Sequence, residues 1–322
     1  MAEINTKPVS GKDWDVSLRQ FPGSTFFDSA IWNNAFTYKV HEVHYLHFFI
    51  KRDLVAGLVA GVVYDADCIR VLTPYTAAVG GLLANTNISL KSYHRIVFCL
   101  IHYFEKIFSG KNFSIKYIQR PSLYSENLRY EVEEFCLLSN GFMLDDVGCE
   151  LFIDVQSEKF ISHQKTSYYQ RKLHENEQVD FSPSTADEFC AFRDMAVAQQ
   201  GKIKTVPTEE ILQGQKLFPE NILFWKLSHN RRPVAVLLED RLSFRLSIGR
   251  NWFRDAEAQI KNVGFLLIHR WLEQLGKQGA SLAGLGAGAH TATAFSEVPL
   301  VFKEQFHIAR IGLRKTYKHS SY

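Results

Sequence analysis

The sequence predicts an α/β (α+β) chain of two tandem domains, residues 1–148 and 149–322, each a mixed, mostly antiparallel sheet flanked by helices. Three observations predict it. The chain has 322 residues, 46% apolar and 13% aromatic, enough for two domains of ordinary size with a large buried core. Its apolar residues switch repeatedly between the helical and the strand repeat. The same order of elements is read twice: helix, antiparallel strands, long helix, strand, helix. No fixed-period repeat of letters accompanies it, so the duplication lies in element order.

In the first half, Asp28 or Ser29 caps a helix over "AIWNNAF", with Trp32 and Phe36 one turn apart. "HYLHFFI" (44–50) reads as a strand, "LVAGLVAGVVYD" (54–65) as its hairpin partner and "CIRVL" (68–72) as a third strand. "TPYTAAVGGLLA" (73–84) is a loop of turn formers. A long amphipathic helix follows over 90–108, with Tyr93, Val97, Leu100, Ile101 and Phe104 on one face. "FSIKYIQ" (113–119) is a strand, and 130–141 a helix closed by Gly141.

The second half repeats this grammar. "CELFIDV" (149–155) is a strand, 163–179 a basic helix leading to a short strand, and 186–201 a helix ending at Gly201. Residues 222–250 form a hairpin and a further strand, and 263–279 a long amphipathic helix. "ASLAGLGAGA" (280–289) is a strand with a glycine-rich tip, "LVFKEQF" (300–306) a short helix and 308–317 the closing strand.

Net charge is +3, too small to mark a nucleic-acid binder by itself, but it divides unevenly: −2 over residues 1–150 and +5 over 151–322. The five cysteines are widely spaced with no C-x-x-C, which excludes a disulfide framework and a zinc ribbon. The twelve histidines contain no H-x-x-x-H, so no metal is expected. The N-terminus shows no secretory signal, and the most apolar stretch, 54–64, is too short to span a bilayer. A cytoplasmic protein without a transmembrane segment is expected, with peripheral membrane contact left open.

The C-terminal third, "VGFLLIHRWLEQLGKQGASLAGLGAG…PLVFKEQFHIARIGLRKTY", resembles the close of the Fem-type peptidoglycan bridge aminoacyltransferases and of Fem-like acyltransferases of the GNAT superfamily. "FFDSAIWNNAF", "TPYTAAVGGLLA" and "YYQRKLHENEQVDF" are similar to further segments of that family, although Phe36 stands where the family often has a substrate-binding lysine. The resemblance implies two GNAT-like domains, the second carrying the acyl-transfer motif. It implies an enzyme that moves an aminoacyl group from aminoacyl-tRNA to an amine of a cell-wall or related precursor, with no bound cofactor. One alternative is an N-acyltransferase that uses an acyl-CoA or acyl-carrier thioester on an amino sugar or small metabolite. Another is a non-catalytic descendant that only binds RNA or a wall precursor.

The resemblance assigns Lys303 to the acyl-transfer site, near the developing oxyanion, with Phe302 packed beside it. Read from its residues alone, Lys303 is either a stem laid over apolar surface or a charge aimed into a pocket. The loop 284–290, which includes Gly286, either turns the chain or offers backbone N–H groups to a carbonyl or phosphate. Lys165, Arg171 and Lys172, with Tyr168 and Tyr169, form a basic-aromatic patch suited to a phosphate backbone and unpaired bases, or else a solvated face. Arg231 with Arg232, and Arg310 with Arg314, Lys315 and Lys318, form two more. Tyr75 either orients the acceptor amine or is a turn residue. The stretch 248–265 lacks the glycine-rich pyrophosphate turn of coenzyme A users and has only Gly264 at the helix start, which favours an ester donor.

Overall fold

The computed structural model describes residues 3–76, 80–124, 130–174, 179–200, 205–289 and 302–321. The described residues divide into two compact units: those up to Gly148 together with those from Gly312 on, and those from Cys149 to Ala289 together with Phe302–Ile311.

Unit 1 runs β1 (Ile4–Pro8), α1 (Gly11–Leu18), α2 (Ala30–Ala35), β2 (Glu42–Ile50), β3 (Asp53–Tyr64), β4 (Ile69–Thr73), β5 (Leu83–Ala84), α3 (Leu90–Ile107), β6 (Phe113–Ile118) and α4 (Tyr130–Ser139). Ser29 caps α2 as expected, its hydroxyl accepting from Trp32 N at 3.1 Å. Ser89 caps α3 in the same way, and α3 buries Tyr93, Ile96, Val97, Leu100, Ile101 and Phe104 against the sheet. β1 and α1 were not expected. The cue for α1 was there in "SGKD": Ser10 Oγ accepts from Asp13 N at 3.2 Å and donates to the Asp13 carboxylate at 2.8 Å.

Unit 2 begins within β7 (Met143–Asp154) and continues through α5 (Glu158–Gln164), α6 (Ser167–His174), β8 (Val179–Pro183), α7 (Ala186–Gln200), α8 (Thr208–Leu217), β9 (Ile222–His229), β10 (Arg232–Arg241), β11 (Leu246–Arg254), α9 (Val263–Lys277) and β12 (Leu282–Ala289). The single helix expected over 163–179 is two helices. Lys165 ends α5, and the Thr166 hydroxyl accepts from Tyr169 N at 3.3 Å and restarts the chain as α6. α8 was also unforeseen, despite Glu209 and Glu210 in its first turn.

The chain closes with β13 (Arg310–Ser321). The sequence placed this strand in the second domain, but from Gly312 onward it belongs to unit 1. The reason is its pairing: β13 runs antiparallel to β6, from Thr316 opposite Ile118 to Ser321 opposite Phe113. Arg314, Lys315 and Lys318 therefore leave the basic half to which the sequence assigned them, and Lys315 is held by Glu134 of α4 at 2.6 Å.

Among the described residues, the sheet of unit 1 follows the order β1-β2-β3-β4-β6-β13 and that of unit 2 β7-β12-β11-β10-β9-β8. Each is antiparallel except for one parallel pair, β4 with β6 and β11 with β12. In each unit a long helix, α3 or α9, lies between the two parallel strands in the chain. This is the tandem arrangement expected from element order, a mixed, mostly antiparallel sheet with flanking helices in each unit.

One buried carboxylate ties unit 2 together. Glu239 of β10 is fully buried and accepts from Trp225 Nε1 of β9 at 2.6 Å, Trp271 Nε1 of α9 at 3.0 Å and Ser247 Oγ of β11 at 2.8 Å. Three strands and the long helix thus share a single acceptor group.

Candidate active site

The two parallel pairs differ in length. β4 and β6 stay paired over five positions, to Thr73 opposite Tyr117 at the end of β4. β11 and β12 pair over only three, Leu246 with Leu282, Ser247 with Ala283 and Ile248 with Gly284, although β11 continues to Arg254 and β12 to Ala289. Beyond Ile248 the ladder between these two strands ends, although Gly286 still lies against the Gly249 carbonyl, and β12 remains paired with β7 through two register shifts.

Glycine makes this geometry possible. A Cβ on Gly284 would stand 2.3 Å from Ile248 Cδ1, so a larger residue there would need the Ile248 side chain to turn away. Gly286 has φ +68°, and a Cβ there would lie 3.1 Å from the Gly249 carbonyl oxygen. Gly286→Ala is expected to lower the stability of unit 2 by about 1–2 kcal/mol, read from the urea midpoint. An unchanged midpoint would mean that this conformation is not needed.

A cavity of about 410 Å³ opens at the start of α9. Lys172 of α6, Trp252 and Arg254 of β11, Gly264 and Phe265 of α9, and Phe302 with Gln305 contribute to its wall. Phe302 stacks on Trp252 with ring centroids 5.0 Å apart. Gly264 has room for no more than that stack, since a Cβ would be 3.3 Å from the Trp252 ring. The Lys172 ammonium donates to Gln305 Oε1 and lies 4.7 Å and 5.0 Å from the ring centres of Tyr168 and Phe265. None of the described lining residues is acidic, and the first N–H groups of α9 are at the wall. Two cations, an aromatic stack and a helix N-terminus together suit a ligand that has both phosphate and a flat ring.

Lys303 takes the other direction from the same short helical turn, residues 302–304. Phe302 and Phe306 face the start of α9, Phe306 stacking on Phe265 at 4.9 Å. Lys303 is 5% exposed and feels the charges of Glu150 and Cys149 on β7. Glu150 pairs with Ala287, the residue after Gly286, so the ammonium is buried beside the irregular part of β12. Burial lowers its pKa to about 8, while Glu150 and then Cys149 pull it up. Of the two sequence readings, the stem over apolar surface is set aside.

The remaining expected residues divide. Lys172 and Phe302 come together at the cavity. Lys165 and Arg171 are exposed and outside its described lining, Arg171 resting 6.0 Å from the Tyr168 ring. Tyr75 belongs to unit 1, where its hydroxyl donates to Asn33 O at 2.7 Å and its ring lies on Gly61. Val301 lies outside the described residues. Sequence reasoning missed Trp252, Arg254 and Gln305. Gln305 had a cue, being two residues past Lys303, whereas Trp252 and Arg254 looked like ordinary strand residues. Among the described residues no three His, Cys, Asp or Glu side chains gather as a metal site would need, and no helix is long and apolar enough to cross a membrane.

Two units, each with one parallel strand pair flanking a long helix, and a shorter pairing of those strands in the second, match a tandem GNAT-type fold. Comparison with solved structures agrees. FemX superimposes with a TM-score of 0.70 at 6% identity, over 97% of this chain and 96% of that one. A tandem GNAT protein from the clavulanic acid biosynthesis pathway gives 0.60 at 10% identity, over 99% and 98%. The C-terminal domain of an Agrobacterium fabrum protein assigned as a lysylphosphatidylglycerol synthetase gives 0.58 at 12% identity, over 96% and 92%. At these identities the likeness is one of fold. No protein-family model matches the chain, and no curated protein matches it in sequence.

Proposed function

We propose that this chain is an acyltransferase that moves an aminoacyl group from aminoacyl-tRNA to an amine of a cell-wall or related precursor, in the cytoplasm. The observation that carries the reading is Lys303, a buried ammonium beside the irregular end of β12. Aminolysis of an ester needs a neutral amine, a bound carbonyl and positive charge where the oxyanion develops. With the carbonyl bound where the β11–β12 pairing ends, Lys303 would supply that charge from a site with little water, where it acts more strongly than in solvent.

The cavity supports a nucleotide-bearing donor. Lys172 and Arg254 would take phosphate, and the Trp252–Phe302 stack would take the base of the terminal nucleotide. An ester donor fits better than a thioester because Gly264 alone stands at the helix start, without a run of glycines to let backbone wrap a pyrophosphate. FemX and the Agrobacterium synthetase share the fold, which supports the same class of chemistry here.

Incubation with labelled aminoacyl-tRNA and, separately, with labelled acetyl-CoA tests this. Loss of label from aminoacyl-tRNA in the presence of a wall-precursor amine is the expected result. Consumption of acetyl-CoA alone would move the assignment to the thioester N-acyltransferases. Consumption of neither would leave a binding protein.

A further inference from the structure

The chemistry above does not use Asp240, Arg250 and Asn251. They lie on the face of the unit 2 sheet opposite Glu239, the face on which α7 packs through the Phe189–Phe253 ring contact. Side chains alternate along β10, so Asp240 and Leu238 both point away from Trp271. Asp240 is opposite Ile248 and Leu238 is opposite Asn251, with Arg250 as the extra residue of the register shift between them. The bulge therefore gathers three polar side chains immediately beside Ile248, the last position at which β11 still pairs with β12.

The cluster is incomplete. Asp240 is 2% exposed, and its Oδ1 has no hydrogen-bond partner. Asn251 Oδ1 is buried and equally without one. Arg250 Nε stands 3.0 Å from Asp240 Oδ2, close enough to balance its charge but not aligned as a hydrogen bond. Burial raises the Asp240 carboxyl to about 6, against the pull of Arg250. Buried acceptors without donors are costly and uncommon, so two on diagonal positions of one face point to an occupant that donates twice. Because Arg250 already offsets the carboxylate, a neutral donor suits the cluster better than a cation. Arg250 is a quarter exposed and Asn251 half-buried, so the cluster lies close beneath the surface.

We infer that Asp240 Oδ1 and Asn251 Oδ1 receive the two N–H groups of the neutral primary amine that accepts the acyl group. This rests on the function proposed above, since it takes the amine to be the nucleophile. A primary amine held by both hydrogens keeps its lone pair free, next to the end of the β11–β12 pairing, where the carbonyl would sit.

The probe is O-methylhydroxylamine, an amine that is neutral at pH 7.5, compared with its N,N-dimethyl form, which has no N–H. Binding to the full chain is followed by ligand-observed NMR. The primary amine is expected to bind and the dimethyl form to bind at least ~10-fold more weakly. Asn251→Leu is expected to weaken the primary amine at least ~10-fold. Asp240→Asn puts an amide donor beside Asn251 Oδ1, so it should lose the amine to the same degree while melting no lower than the parent protein. Equal binding of both probes, or undiminished binding by both variants, would leave a buried water as the occupant and overturn the inference. No donor or turnover enters this measurement. Failure to consume aminoacyl-tRNA would therefore count against the proposed function alone, and loss of probe discrimination against the amine site alone.

Discussion

Lys303→Met is expected to lower turnover by ~100- to 1000-fold with little change in the apparent affinity for the donor, the loss typical of removing one group that stabilises an oxyanion. The pH profile should show the same group. The ammonium has its pKa lowered to about 8, mainly by burial, so cation-dependent turnover is full below that pH and falls as pH rises through it. An ordinary lysine would hold its charge about two units further. Lys303→Arg, in whatever activity it retains, should lack the fall near pH 8 because a guanidinium stays charged.

Stability carries the matching sign. In the unfolded chain Lys303 keeps its proton up to about 10.5, whereas in the native state it releases it near 8. Between those values the unfolded state binds more protons, so native stability gains as pH rises across this window and is lost again as pH falls through about 8. The stability of the parent protein relative to Lys303→Met should therefore climb by on the order of 3 kcal/mol from pH 7.5 to beyond pH 10. Urea titrations at several pH values measure it. A flat difference, together with unchanged turnover, would remove Lys303 from the site.

The second large effect is structural. Glu239→Leu leaves the indole N–H groups of Trp225 and Trp271 and the Ser247 hydroxyl without an acceptor in a fully buried place. Each orphaned group costs about 1–3 kcal/mol, and we expect a loss of about 4 kcal/mol for unit 2, a fall of roughly 10 °C in its melting temperature. Glu239→Gln keeps one acceptor oxygen and should cost less than half as much. If Glu239→Leu instead melts within about 2 °C of the parent protein, the carboxylate does not hold strands and helix together.

The long helices and the hairpins were legible because their cues are local. Tyr93, Val97, Leu100, Ile101 and Phe104 repeat at helical spacing, and all five are buried on α3. Ser29 announces α2 by its side chain alone. The break between α5 and α6 was equally local, in Thr166, and was missed because a basic helical pattern continues across it. The site was legible in part: Lys303 and Phe302 stood out by their motif and Lys172 by its aromatic neighbours. Trp252 and Arg254 did not, since their position at a cavity depends on where β11 leaves β12.

By itself the sequence determined the order of the elements, the two-fold repetition of that order and the lysine turn near the chain's end. Each follows from contacts between residues three or four apart, or from alternation along one strand. Tertiary structure alone decided that Gly312–Tyr322 join unit 1, that Lys303 is buried against β7, and that Asp240 and Asn251 share a face. Those outcomes depend on strand register between segments far apart in the chain, where a shift of one residue reverses which side chains are buried.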